Sequence, residues 1–187
     1  AVLTEGGGVY TFGDGFEGRL GHGDKKTQLA PRRVLAAGFN DERIVMVAAG
    51  DAHTVALSET GCVFTWGRGF NGQLGHGDFS REQLAPRQVE PGLFESKKVV
   101  FVAAGGAHTV AVTAGGQLYT WGAGGYGRLG HGDSDCRVVP TLVGAQAFGG
   151  SAVVMAACGR GHTLVVSQDG GLWACGRGRD GRLGLND

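Results

Sequence analysis

Short runs of apolar and β-branched residues, each stopped by glycine, recur along the chain, and they read as strands. Ile44-Val45-Met46-Val47-Ala48-Ala49 ends at Gly50, His53 to Ser58 follows, a turn closes at Gly61, and Cys62-Val63-Phe64-Thr65-Trp66 ends at Gly67. Gly7, Gly116 and Gly170 stand at the equivalent turns, where a positive φ suits glycine. A fourth strand is predicted at Pro31-Arg32-Arg33-Val34-Leu35, and again from Pro86 and from Pro140. A proline as first residue fits an edge strand, which has no ladder hydrogen bond to lose there. Several strands are apolar on consecutive residues instead of alternating, the pattern of a sheet covered on both faces. No segment carries a 3.6-residue apolar period, so helices are not expected.

The blocks repeat. Of the twelve residues from Gly13 to Asp24, nine are identical in Gly67 to Asp78; the pattern returns from Gly122 to Asp133 and, degenerate, from Gly176 to Asp187. The offsets are 54, 55 and 54 residues, and a second marker, His53-Thr54, His108-Thr109 and His162-Thr163, keeps the same beat. Four short antiparallel strands in a period of this length fit a propeller blade. The predicted fold is therefore all-β, with residues 1–187 forming one partial β-propeller of four-stranded antiparallel blades. About 3.5 periods are present in the 187 residues. The first period lacks the Ile44-type strand and the last lacks the Pro-led strand, so the two ends duplicate strand types and do not complement each other. This favours a piece of a longer propeller over a natural half-ring. In either case the terminal sheets have apolar, uncovered faces, and self-association of copies through them is expected.

Gly-x-x-His-Thr before a hairpin, then Tyr-Thr-Trp-Gly and Gly-Arg-Leu-Gly-His-Gly-Asp, resembles the repeat of the regulator of chromosome condensation family, over essentially the whole chain. The resemblance implies a propeller whose complete ring has seven blades, about half of which would be present here.

Composition narrows the function. Glycine, at 38 of 187 residues, is far above ordinary usage, but with only 4 Pro the chain is not collagen-like. An apolar share of 42 % with 18 % charged argues against disorder. Lys plus Arg equals Asp plus Glu, 17 each, so no global field draws the chain to nucleic acid or anionic lipid; contact with nucleic acid or chromatin would need a local patch. The apolar runs are far shorter than the roughly 18 residues of a membrane span, and Ala1 to Glu5 does not read as a signal peptide, so no membrane role is expected. Four Cys (Cys62, Cys136, Cys158, Cys175) without a CxxC pair favour a reduced intracellular compartment, nucleus and cytoplasm being equally compatible.

Chemistry is harder to find. His22, His76 and His131 each precede an Asp by two residues (Asp24, Asp78, Asp133), and could ligate a metal. Their recurrence in each repeat favours a turn in which Asp accepts backbone amides, and no metal is predicted. His53, His108 and His162 are expected to open the second strand and to hydrogen-bond with backbone or a neighbouring blade. Gly13 to Gly18, Gly67 to Gly72 and Gly122 to Gly127 match GxGxxG formally, but no helix follows, so no cofactor is expected. Cys62 and Cys175 replace Gly8 or Gln117 and Trp66 or Trp121 at equivalent positions, which is packing variation, and no catalytic constellation emerges.

The candidate binding residues are arginines and aromatics. Arg19, Arg128 and Arg182 share one repeat position, with Gln73 at the remaining copy; Arg68 and Arg177 share another; Phe16, Phe70 and Tyr126 lie in the same loops. Equivalent loops of a propeller share one face, and Arg with aromatics is the composition of a protein-binding hot spot. The competing reading is a set of solvated arginines paired with Asp and Glu. The predicted function is a non-enzymatic scaffold for protein–protein interaction. The alternative, implied by the resemblance, is a guanine-nucleotide exchange factor for a Ran-type small GTPase with chromatin association. Its wedge-like insertion has no counterpart in the loops Trp66 to Asp78 and Trp121 to Asp133, which are uniform in length. Light-sensing members of the family carry Gly-Trp-Arg-His-Thr, replaced here by Gly50-Asp51-Ala52-His53-Thr54, Gly105-Gly106-Ala107-His108-Thr109 and Gly159-Arg160-Gly161-His162-Thr163, so that role is not expected.

Overall fold

The computed structural model describes residues 1–79 and 81–185. They form four antiparallel sheets in chain order. The first holds β1 (Val2–Leu3), β2 (Val9–Gly13) and β3 (Gln28–Arg33). The second holds β4 (Ile44–Ala49), β5 (His53–Ser58), β6 (Val63–Arg68) and β7 (Glu82–Gln88), and the third β8 (Val99–Ala104), β9 (His108–Thr113), β10 (Leu118–Gly122) and β11 (Arg137–Leu142). The fourth holds β12 (Val153–Cys158), β13 (His162–Ser167) and β14 (Leu172–Gly176). The first strands β4, β8 and β12 lie against one another, and the sheets fan out from them as the blades of an incomplete propeller. No α-helix occurs among the described residues; short 3-10 turns such as Ala36–Phe39, Pro91–Phe94 and Ala145–Phe148 connect one sheet to the next. Of the fourth repeat marker, Asn186 and Asp187 lie outside the described residues.

The outer strands start earlier than the sequence suggests. Pro31, Pro86 and Pro140 sit inside β3, β7 and β11 and not at their first residue. Each ladder shifts register there, between Thr11 and Gly13, Thr65 and Gly67, and Thr120 and Gly122 on the partner strand. A bulge on an edge strand removes the need for a donor, so proline is tolerated mid-strand.

Three apolar clusters fill the spaces between successive sheets, and they share one plan. A phenylalanine from each connecting turn meets the third strand edge-on: Phe39 lies 5.5 Å from Phe64 and 5.8 Å from Trp66, Phe94 lies 5.4 Å from Tyr119 and 6.1 Å from Trp121, and Phe148 lies 6.2 Å from Trp173. Each such pair contributes about 0.5–1.5 kcal/mol beyond its buried area. Covering on both faces explains the unbroken apolar runs: every residue of β5 and of β9 is buried, whereas in β13, with no further sheet beyond it among the described residues, burial alternates. Met155 is 50 % exposed there, whereas its counterparts Met46 and Phe101 are half-buried.

Polar clasps fix how the sheets register on one another. Thr54 Oγ1 donates to the Arg19 carbonyl at 3.0 Å, Thr109 Oγ1 to the Gln73 carbonyl at 2.8 Å, and Thr163 Oγ1 to the Arg128 carbonyl at 2.7 Å, each across a sheet boundary. A hydroxyl has one proton, so the imidazoles that touch these threonines must donate. His53 Nε2 thus gives its proton to Thr109 Oγ1 at 2.9 Å, and His108 Nε2 to Thr163 Oγ1 at 3.0 Å. The glycine three residues before each histidine leaves room for the ring. A Cβ on Gly105 would lie 2.1 Å from His108 Cε1, and one on Gly159 2.0 Å from His162 Cε1. Gly-x-x-His is therefore a packing unit in which the imidazole covers a bare Cα.

Two consequences are measurable. Gly105→Ala is expected to cost about 2–4 kcal/mol by overpacking. Gly115→Ala, where a Cβ has nothing nearer than 3.8 Å, should stay within about 0.5 kcal/mol. Urea unfolding of the two variants checks the contrast.

Burial holds the imidazole of His53 down to about 4 and that of His108 to about 3 from the ordinary 6.5; Nδ1 of each is buried without a partner, so a second proton would find no acceptor. A lowered folded-state pKa means that this stability is complete above about pH 6.5 and is lost as pH falls toward the folded value, because the unfolded chain alone takes up the protons. Stability should decline by up to about 1.4 kcal/mol per pH unit per histidine between pH 6.5 and 4. Unfolding midpoints measured across that range should show the slope, and His53→Gln with His108→Gln should reduce it, leaving the share of His22, His76 and His131.

Candidate interaction face

The loops that follow β2, β6, β10 and β14 lie at the same end of the molecule as the tight connections that precede β5, β9 and β13. Arg68 N donates to the Ala52 carbonyl at 2.9 Å and Arg177 N to the Gly161 carbonyl at 2.9 Å, which ties the two sets together within a sheet. Arginine side chains tie them between sheets. Arg19 Nε donates to the Phe16 carbonyl at 2.9 Å and Nη1 to the Asp51 carbonyl of the next sheet at 3.3 Å. Arg128 repeats this with Gly125 at 2.9 Å and Arg160 at 3.2 Å. Arg182 bonds the Arg179 carbonyl at 2.5 Å and pairs with Asp180. Gln73, the fourth member of the position, is fully buried and accepts from Asn71 N at 2.9 Å. Arg19 and Arg128 are thus loop staples as well as surface groups.

The residue two before each of these stands out. Glu17 (φ 59°), Tyr126 (φ 64°) and Asp180 (φ 64°) adopt the left-handed region that non-glycine residues seldom occupy. Glu17 lies between Arg19 at 3.5 Å and Arg68 of the next sheet at 3.5 Å, a nearly buried carboxylate with a cation on either side. Tyr126 occupies the same slot one pair of sheets on. Its ring is 5.7 Å from the guanidinium of Arg128 and 5.6 Å from that of Arg177. Such contacts contribute about 0.5–1 kcal/mol each at exposed sites. Between the second and third sheets the slot holds Asn71, and Ala123 takes the place of the second arginine.

The two charged junctions differ in one respect. Arg68 is paired with Glu17 and also lies 5.2 Å from the Phe70 ring. Arg128 and Arg177 have no carboxylate partner among the described residues, and Arg177 Nε is buried without a hydrogen bond. Tyr126 is 63 % exposed, Phe16 58 % and Phe70 42 %. The structure therefore brings Tyr126, Arg128 and Arg177 into one group, Arg68 and Phe70 into a second beside Phe16 and Arg19, and leaves Arg182 at the margin with Asp180. Arg160 and Asp51, which repeat position alone did not single out, form an ion pair at 3.2 Å over Gly106, the sheet between them. Noting opposite charges at one repeat position two sheets apart, with glycine between, would have found them.

The histidines of the Gly-His-Gly-Asp loops are engaged elsewhere. Thr11, Thr65 and Thr120 donate to the Leu20, Leu74 and Leu129 carbonyls, so His22, His76 and His131 donate Nε2–H to those hydroxyls at 3.0 Å. Burial lowers all three pKa values, that of His76 to about 4. Asp24 and Asp133 accept backbone amides of Lys26 at 3.0 Å and Asp135 at 2.9 Å, as a turn requires.

Sheet order, the Gly-x-x-His-Thr packing unit and the Gly-His-Gly-Asp loops together define a β-propeller built from repeats of one kind. The chain belongs to the RCC1-like domain family, whose description matches residues 1–187. It is 43 % identical over 179 residues to the ultraviolet-B receptor UVR8 of Arabidopsis thaliana, covering 96 % of this chain and 39 % of that protein. It is 42 % identical over 185 residues to the human E3 ubiquitin-protein ligase HERC2, covering 98 % of this chain and 4 % of that one. Among solved structures, human WBSCR16 superposes with a TM-score of 0.87 at 26 % identity over 99 % of this chain and 47 % of that one. Prp20p of Saccharomyces cerevisiae superposes with 0.84 at 27 % identity, covering 99 % and 45 %. The chain thus spans less than half the length of each of these proteins.

Proposed function

We propose that this RCC1-like domain is a non-enzymatic platform that binds a protein partner through its loop face, with Tyr126, Arg128 and Arg177 as the anchor and Arg68 and Phe70 as a second contact. The observation that carries the reading is the pair of arginines flanking an exposed tyrosine, with no carboxylate partner for either among the described residues. Arg and Tyr supply large contact area at low entropic cost, and uncompensated guanidinium groups favour an acidic partner surface. Prp20p has been studied for its binding to Gsp1p and histones, and yeast RCC1 (Prp20) has been crystallised with Kap60, so propellers of this family do bind proteins.

Prp20p's binding to Gsp1p is also the observation that favours the second reading, nucleotide exchange on a Ran-type GTPase with chromatin contacts. Light reception, which the name of UVR8 gives to that protein, is not adopted: Trp66 and Trp121 are fully buried between sheets.

The test compares partner proteins retained by the wild-type domain and by Phe70→Ala with Arg177→Glu, two changes that leave the staples of Arg19 and Arg128 and the Glu17–Arg68 ion pair in place. Retention of the specific partner should fall about 30-fold or more with the unfolding midpoint unchanged. Equal retention would refute the loop-face reading, and accelerated release of labelled GDP from a Ran-type GTPase would select the exchange reading.

A further inference from the structure

The three sheet interfaces are built alike, and one of them has a space where the other two have an indole. Trp66 and Trp121 press against glycines of the preceding loop: a Cβ on Gly21 or Gly75 would lie 2.7 Å from the respective Nε1. Trp66 Nε1 also donates to the Arg19 carbonyl at 3.0 Å, which takes Thr54 as its second donor. In the fourth sheet the same position is Cys175, and the nearest atom to a Cβ on Gly130 is its Sγ, 3.6 Å away. The thiol reaches the Arg128 carbonyl only at 3.6 Å, beside Thr163. Beside the thiol lies an open apolar pocket of about 110 Å³ lined by Leu129, Gly130, Phe148, Val165, Trp173 and Cys175.

We infer that this cavity is a binding site for a planar aromatic ring of indole size bearing an N–H, a free small molecule that takes the place Trp66 and Trp121 fill in the other two interfaces. The walls match: Phe148 corresponds to Phe39 and Phe94, which meet those indoles edge-on, and Gly130 leaves the floor bare. The carbonyl of Arg128 has a weak thiol donor where its counterpart Arg19 has an indole N–H, so the ligand's N–H gains a stronger hydrogen bond than the one it displaces. Cys175 is no nucleophile toward the ligand, since burial raises its thiol pKa.

Indole itself is the probe, added to the 187-residue domain and followed by calorimetry and by the emission of Trp173. Saturable binding with a midpoint below about 1 mM is expected. Cys175→Ser should keep it, and Cys175→Trp, which supplies the ring covalently, should weaken it at least tenfold and raise the unfolding midpoint. If Cys175→Trp does not fold, nuclear Overhauser contacts from indole protons to the methyls of Leu129 and Val165 in the wild type provide the same decision. Contacts confined to other residues, or equal binding by a folded Cys175→Trp variant, would overturn the site. Tighter binding of N-acetyl-tryptophanamide than of indole would also overturn the free-ligand assignment and give the slot to a tryptophan side chain of another polypeptide.

Discussion

A sheet of three or four short strands buries too little to persist alone, so the whole structure rests on how one sheet is held to the next. Apolar burial supplies most of the energy, but it is non-directional and would tolerate sliding. Direction comes from one backbone carbonyl per junction, that of Arg19, Gln73 or Arg128, which accepts a threonine hydroxyl from the following sheet. Each carbonyl is enclosed, and a slipped register would leave it unpaired at a cost of about 1–3 kcal/mol. The histidines lengthen the chain of contacts: His53 reaches Thr109 in the next sheet, and that hydroxyl reaches back to Gln73. Three successive segments are therefore coupled by hydrogen bonds whose polarity is set by one shared proton.

The proposed interaction face is a by-product of the same clasp. At two of the three junctions the residue that offers its carbonyl is an arginine, and its side chain crosses to the next sheet as well. Fixing this residue fixes the left-handed residue two places earlier. An L-residue at positive φ costs of order 1 kcal/mol, and glycine would avoid that cost. Tyr126 accepts it and stands in solvent between two guanidinium groups. At Glu17 the same conformation is balanced by two ion pairs that bury the carboxylate. Strain with internal compensation reads as architecture, and strain on an exposed aromatic points to recognition.

Much of this was legible in the chain. The 54- to 55-residue beat of Gly-His-Gly-Asp and His-Thr located the sheets, and consecutive apolar residues in β5 and β9 foretold cover on both sides because only a residue with neighbours on each face can be apolar at every position. The histidine contacts to a neighbouring sheet were also foreseeable, since a buried imidazole opening a strand needs a partner. Other features were not. Pro31, Pro86 and Pro140 were placed at strand starts, because a bulge that frees a mid-strand residue from donating leaves no mark in composition. By repeat position the arginines at 19, 128 and 182 resemble those at 68 and 177, yet Arg19 and Arg128 each bond one carbonyl of their own loop and one of the next, a distinction that depends on three-dimensional distance. Cys175 read as packing variation, and its cavity appears only when the indole positions are compared in space.

An internal repeat offers its own control, since the same backbone is assembled several times with different side chains. What the folding problem demands is whatever all copies share: the bare glycine under the imidazole, the threonine on the loop carbonyl, the phenylalanine of the connecting turn. Departures from the shared set are not required by the fold, because the other junctions stand without them. They concentrate at the junction of the third and fourth sheets, where Tyr126 replaces an acidic or amide residue, Arg177 lies beside it unpaired, Arg160 reaches back to Asp51, and Cys175 replaces an indole. One junction has thus exchanged internal satisfaction for exposed cation and aromatic surface outside and for unfilled apolar volume inside. Both changes lower the stability available from that junction, and they make it the interface whose side chains the demands of the fold account for least.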